Sequence, residues 1–327
     1  MSEILLTTSV GSLPKPDYVL KARSSFVRGE ISREELIDLE RRATREWIEF
    51  QEAIGIDVIV DGEQYRGDMV AFFAEEMPGF GRGGLVRSYG NRYYRKPIID
   101  GPVRRDRPIT LDWWRFAQSL TDRPVKGMLT GPYTIVDWSF NEHYDTREQA
   151  VLDVARAIHE EALDLQAAGA RYIQIDEPAV STRMDELDLA IRALGIVTEG
   201  LEVHTITHIC YGDFHHAYPK MLELPVDQLD LEMANSGYDL LDAFRGAPFT
   251  KSIGLGVVDS HSHRIESVDE VMAGIERTLE LIPPDRVFVD PDCGLKTRTV
   301  EEAKGKLQVV VEAARRVRER VGAPSTR

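Results

Sequence analysis

Apolar positions along the chain fall into two alternating rhythms. Short runs rich in β-branched residues predict strands at 4–10 (ILLTTSV), 57–63 (DVIVDGE), 125–131 (VKGMLTG), 172–178 (YIQIDEP), 203–210 (VHTITHIC), 228–234 (QLDLEMA), 252–258 (SIGLGVV) and 286–292 (RVFVDPD). Between them lie segments of helical spacing. In 32–54, Leu36, Leu39, Ala43, Trp47 and Phe50 recur at three- and four-residue steps, and 146–168, 184–194, 267–282 and 299–320 also predict helices. Strand–helix alternation predicts parallel strands, and eight of them predict an α/β fold of one (β/α)8 TIM barrel over 1–327. No low-complexity linker divides the chain.

One region breaks the rhythm. Residues 77–112, between the second and third predicted strands, are rich in Gly, Pro and Arg and predict an excursion from the barrel. Gly79, Gly81 and Gly84 match G-x-G-x-x-G, but no strand precedes them and no clear helix follows, so a dinucleotide site is discarded. Arg82, Arg87, Arg92, Arg95, Arg104, Arg105 and Arg107 leave two readings open, a solvated loop or an anion-binding segment.

Composition narrows the partners. A net charge of −15 argues against nucleic acid, which requires a basic face. Two cysteines make no disulfide framework in 327 residues. The start MSEILLTTSV lacks the basic region and apolar run of a signal peptide, and no window approaches 18 apolar residues. The expectation is a cytoplasmic protein that neither binds a membrane nor spans one.

The chemically able residues gather at strand ends, where a parallel barrel builds its active site. Ser12 follows the first strand, Glu63 ends the second, and Asp176 and Glu177 end the fourth. His208 and Cys210 end the fifth, Glu232 the sixth, Asp259 and His261 follow the seventh, and Cys293 follows the eighth. Residues two apart on a strand project to one face, so His208 and Cys210 aim at one spot. H-x-C alone is weak. The other cysteine also lies past a strand end, and Glu232 adds a carboxylate. His208, Cys210, Glu232 and Cys293 together form a donor set suited to zinc, with Zn2+ as the expected cofactor.

Several blocks then resemble the cobalamin-independent methionine synthase family, almost end to end: TTSVGSLP (7–14), DVIVDGEQYRGDMVAFF (57–73), QSLTDRPVKGMLTGPYTIVDWSF (118–140), YIQIDEPAV (172–180), THICYGDF (207–214), GVVDSHS (256–262) and DPDCGLKTR (290–298). The chain resembles that family's stand-alone catalytic core. The resemblance implies a zinc-containing barrel that methylates the thiol of homocysteine to make methionine. It implies the same four metal ligands, Gly11 and Ser12 at the substrate carboxylate, Glu63 and Asp176 at its ammonium group, His261 as the acid in methyl transfer, and Trp138 facing the donor. The donor it implies is a methyl-corrinoid (methylcobalamin or a corrinoid protein) or a methyl-tetrahydropterin.

By chemistry, Asp259 is placed to orient the His261 ring. Trp138 suits a flat cofactor, whereas Trp113, Trp114, Phe116 and His204 fit the interior. Three alternatives stay open. LEMANSGYD (231–239) is unlike the long enzymes and leans toward relatives that alkylate other thiols such as coenzyme M, although a sulfonate would give Glu63 and Asp176 no cation to pair with. A metal-dependent hydrolase using His261 and His263 leaves both cysteines unexplained. A closed structural zinc requires four permanent ligands.

Overall fold

Local signals set the helix limits. Ser32 caps α2 (Arg33–Ile54) by accepting from the Glu35 backbone while the Glu35 side chain accepts from the Ser32 N–H, and Gly55 ends that helix at φ 93°, where a Cβ would be strained. The same reciprocal box starts α6 (Arg147–Ala167) at Thr146/Gln149 and α10 (Val268–Leu279) at Ser267/Glu270. A computed structural model describes residues 4–88, 92–210, 212 and 214–322. Tyr211 and Asp213 of THICYGDF lie outside the described residues, as does the side chain of Arg92.

The helices are α1 (Asp17–Val27), α2 (Arg33–Ile54), α3 (Met69–Glu76), α4 (Leu111–Gln118), α5 (Pro132–Asp137), α6 (Arg147–Ala167), α7 (Leu187–Thr198), α8 (Phe214–Ala217), α9 (Leu241–Gly246), α10 (Val268–Leu279) and α11 (Val300–Gly322). The strands are β1 (Leu6–Thr7), β2 (Phe80–Ser88), β3 (Arg92–Ile99), β4 (Gly127–Thr130), β5 (Phe140–Asn141), β6 (Tyr172–Asp176), β7 (His204–Ile209), β8 (Gln228–Leu231), β9 (Ser252–Gly256) and β10 (Val287–Asp290). The chain forms two compact units. One is 1–65, 116–126 and 229–327; the other is 66–115 and 127–228.

Seven strands hydrogen-bond in the order β1-β10-β9-β8-β7-β6-β4. In the first unit β1, β10 and β9 pair in parallel; in the second β4, β6 and β7 do. β4, β6, β8 and β10 are buried at every position, as expected of strands covered on both faces.

Seven of the eight predicted strands are strands of this sheet among the described residues, in keeping with the expected parallel α/β arrangement. The predicted strand at 57–63 survives only as one parallel bridge, Ile59 to Val125. Its Asp57 and Val58 N–H groups donate to the Thr7 carbonyl at 3.1 and 3.0 Å, its Ile59 N–H donates to the Pro124 carbonyl at 2.9 Å, and its Ile59 carbonyl accepts from the Lys126 N–H at 2.8 Å. The Gln51 amide donates to the Val60 carbonyl at 2.8 Å and accepts from the Val60 N–H at 3.0 Å, and the Thr8 hydroxyl donates to the Val58 carbonyl. Past Ile59 the pairing stops, because the Val60 groups satisfied by the Gln51 side chain are not available to a neighbouring strand.

The excursion at 77–112 is an antiparallel hairpin, β2 with β3, followed by a turn into α4, and β5 joins β3 in a separate three-stranded sheet. Three of its arginines are engaged by carboxylates. Arg105 binds the buried Glu161 at 2.7 Å and also Asp164, Arg107 reaches Glu76 at 2.7 Å, and Arg104 pairs with Asp106 at 2.9 Å. An anion-binding role for these three is not supported. Among the described residues no helix is long and apolar enough to cross a membrane.

Candidate active site

In the first unit, β8 runs out at Leu231 and presents Glu232, which is buried. Its Oε1 lies 3.2 Å from His261 Nε2. That hydrogen bond raises the His261 pKa above the ordinary imidazole value, against the opposing effect of burial, with help from the charges of Glu232, Cys293 and Asp259. Asp259 acts through the backbone: its Oδ1 accepts the His261 N–H at 2.7 Å, while Glu232 meets the ring. This differs from the expectation that Asp259 orients the ring directly.

Cys293 follows β10 and is half-buried. Its neighbour Asp292 is a hub that sequence reasoning passed over. Asp292 accepts from three consecutive backbone N–H groups, Met233 and Ala234 at 2.9 Å and Asn235 at 2.7 Å. Burial pushes its carboxyl up to about 7, and those three donors pull the other way. It therefore ties the residues after Glu232 to the residue before Cys293. Gly256 makes room for it, since a Cβ there would sit 2.2 Å from Asp292 Oδ1. The available signal was an acid between a strand end and a cysteine.

Ser12 is buried, and its carbonyl accepts the Leu295 N–H at 2.8 Å. A Cβ on Gly294 would come within 2.1 Å of Ser12 Oγ, so glycine is required for the Gly11–Ser12 loop to lie against the loop after Cys293. Glu63 is buried at φ 54°, an uncommon value for a side-chain-bearing residue. Its N–H donates to Asp61 Oδ1 at 2.8 Å, and its carbonyl accepts from Lys15 Nζ at 3.0 Å.

Burial lowers Lys15 to about 8; Arg23 adds to the effect and Glu63 opposes it. An unfolded lysine holds its proton to about 10.4, so between these values unfolding takes up a proton and stability rises with pH. Denaturant titrations of wild type and Lys15→Met at pH 7.5 and 10 should therefore show the wild type gaining on the variant at the higher pH. A constant difference would contradict this.

In the second unit, Asp176 closes β6, is buried, and accepts from Gln174 Nε2 at 2.6 Å. Glu177, singled out from the sequence without a role, follows β6 and lies fully buried against the start of α5. It accepts from the Tyr133 N–H at 3.0 Å, the Thr134 N–H at 2.8 Å and the Thr134 hydroxyl at 2.7 Å, and burial pushes it up to about 7. It thereby anchors the short helix that ends at Trp138, which is half-buried. His204, expected in the interior, is half-buried at the start of β7, with Nε2 at 2.8 Å from Gln228.

His208 and Cys210, alternate residues at the end of β7, are both buried. Ligand atoms of His208, Cys210 and Cys293 all lie within 4.8 Å of one another, a group that could hold a metal ion. Two thiols and an imidazole are donors of the kind zinc takes. Glu232, the fourth expected ligand, lies outside that group and is engaged by His261.

A protein from Mycobacterium leprae, 5-methyltetrahydropteroyltriglutamate–homocysteine methyltransferase, is 42% identical over 328 residues, covering 96% of this chain and 43% of its own length. Its namesake from Flavobacterium johnsoniae is 40% identical over 332 residues, with 98% and 43% covered. This chain thus spans about two fifths of those relatives. Among solved structures, a B12-independent methionine synthase from Shewanella sp. W3-18-1, in complex with selenomethionine, superposes with a TM-score of 0.87 at 29% identity over 98% of this chain and 100% of that one. The family described as cobalamin-independent synthase, catalytic domain, matches residues 5–316, and the chain belongs to it.

Proposed function

We propose that this protein transfers a methyl group from a 5-methyl-tetrahydropterin to the sulfur of homocysteine, forming methionine, with zinc held by His208, Cys210 and Cys293 and with Glu232 as an exchangeable fourth ligand. The observation that carries the reading is the group of two thiols and an imidazole, with ligand atoms within 4.8 Å. Of the donors left open by the sequence, the corrinoid is set aside, because the relatives are named for a methyltetrahydropteroyl donor.

When bound, zinc supplies Lewis acidity that lowers a thiol from its usual value of about 8.5 and so presents the substrate sulfur as a nucleophile at neutral pH. The protein's own groups do the rest. Glu63 and Asp176 are buried carboxylates suited to the substrate ammonium through charge-assisted hydrogen bonds. The Gly11–Ser12 loop, fixed against Gly294, suits its carboxylate. His261, kept basic by Glu232, carries the proton that the departing pterin nitrogen requires, since that nitrogen leaves poorly as an anion. Trp138 offers an aromatic face to the flat donor.

The test is methionine formation by zinc-loaded protein from homocysteine and methyl-tetrahydropteroyl mono- or triglutamate. No product from either pterin with the metal in place overturns the reading; product from methylcobalamin alone overturns the donor. Methylation of coenzyme M in place of homocysteine would move the acceptor to another thiol. Glu63→Gln and Asp176→Asn are each expected to raise KM for homocysteine by about 10- to 100-fold, the loss of one charge-assisted contact, with a smaller change in KM for the pterin. Unaltered homocysteine KM in both variants would remove the ammonium role.

A further inference from the structure

The loop between β9 and α10 carries His261, and it is fastened to α11 by an ion pair that the chemistry above does not use. Lys306, on α11, has no exposed side-chain surface, and Glu266 is 7% exposed. Lys306 Nζ donates to Glu266 at 2.8 Å (Oε2) and 3.2 Å (Oε1) and also to the Arg264 carbonyl. Glu266 Oε1 in turn accepts the Asp259 N–H at 3.0 Å. Asp259 Oδ1 accepts the His261 N–H at 2.7 Å, and the His261 ring meets Glu232 at 3.2 Å. A chain of contacts therefore runs from α11 to the imidazole.

Two more contacts fix the same loop to the same helix. His263 Nδ1 lies 2.9 Å from Glu302, and Ile265 packs where a side chain on Gly305 would be, 2.5 Å from its Cβ position. A lysine is rarely buried without a purpose for its charge, and a buried ion pair is a poor route to stability compared with apolar packing. Here both partners spend their remaining hydrogen bonds on the loop backbone, at Arg264 and Asp259.

We propose that Lys306 and Glu266 are positioning residues, which hold loop 259–266 in the one arrangement that sets His261 against Glu232 and ready to protonate the leaving group. This rests on the proton-donor reading of His261 given above. A misplacement of about 1 Å at a reacting group costs on the order of 10²-fold in rate, so the pair acts on kcat although it touches no substrate.

The decisive variant is the double replacement Lys306→Met with Glu266→Leu, compared with Lys306→Met alone and with His261→Asn. The single variant leaves Glu266 buried without its cation and should lower Tm; the double variant removes both charges and should recover it. If the pair served stability alone, the double variant would regain full activity. We expect instead that its kcat with the methyl-pterin stays reduced by about 10- to 100-fold. KM for homocysteine and bound metal should be unchanged, and amide hydrogen exchange across 259–266 should quicken. Wild-type kcat in the folded double variant, while His261→Asn is impaired, overturns the positioning role alone. Full activity in His261→Asn overturns the proton-donor reading and this proposal together. Should the double variant not fold, Glu266→Ala serves: folded protein with full kcat also overturns the proposal.

Discussion

Cys293→Ser protein, purified and dialysed against zinc, is expected to retain less than about a tenth of the metal held by the wild type and to lose homocysteine methylation by at least about 10²-fold. A serine hydroxyl stays protonated where a thiol ionises, and it is a harder donor than the site's other thiol, so the replacement removes both charge and softness from the donor set. The fold should survive. Cys293 is only half-buried, and the loop that carries it is held independently by Leu295 to Ser12 and by the close approach of Gly294 to the Ser12 hydroxyl. Metal per chain by atomic absorption, with far-UV circular dichroism as the control for folding, decides the matter. A full complement of zinc in Cys293→Ser would remove the cysteine from the ligand set. Glu232→Gln should lose less metal than Cys293→Ser, since Glu232 lies outside the group of three.

Residues whose chemistry is written in their type and position are legible in the sequence. His208, Cys210 and Cys293 are scarce residue types at strand ends, and the ends of parallel strands point one way, so their meeting follows from topology. A strand buried on both faces, such as β10, is equally legible, because Val287, Phe288 and Val289 make a continuous apolar run. The run at 57–63 is not, although it is as apolar as the others. It pairs with backbone only over Asp57–Ile59, and at Val60 both backbone groups turn to the Gln51 side chain, a partner that periodicity cannot reveal. The arginines of 77–112 are opaque for a similar reason. Arg105 meets Glu161 and Asp164, 56 and 59 positions away, and a charge pattern does not show which charges will meet. Supporting groups are the hardest class. Asp292, Glu177 and Lys306 act through backbone groups of other segments, and a backbone N–H carries no residue identity for a sequence to display.

Asp292→Ala is expected to destabilise the protein by about 3 kcal/mol and to weaken zinc binding by about 10- to 100-fold while leaving every candidate metal ligand in place. One carboxylate accepts from the N–H groups of Met233, Ala234 and Asn235; its removal strands the buried Met233 donor and the Asn235 donor beside it, whereas the Ala234 N–H keeps the Gly256 carbonyl at 3.1 Å. Each stranded donor costs about 1–3 kcal/mol, reduced where water can enter the space vacated, so two of them together give about 3 kcal/mol. Loss of metal affinity follows from the same geometry. Those N–H groups belong to the residues directly after Glu232, and Asp292 directly precedes Cys293. Without the carboxylate, the segments bearing these two residues are free to drift apart, and a group assembled to tenths of an ångström loses its preorganisation. Asp292→Asn keeps one acceptor oxygen but sets an amide N–H₂ against backbone donors, so it should fall between alanine and wild type in stability and resemble alanine in metal affinity. Urea denaturation of the metal-free proteins separates the first effect, and competition for zinc with a chromophoric chelator measures the second. If Asp292→Ala unfolds within about 0.5 kcal/mol of wild type and binds zinc equally well, then the three hydrogen bonds contribute neither stability nor order to the site, and the Cys293 and Glu232 segments are held by some other contact.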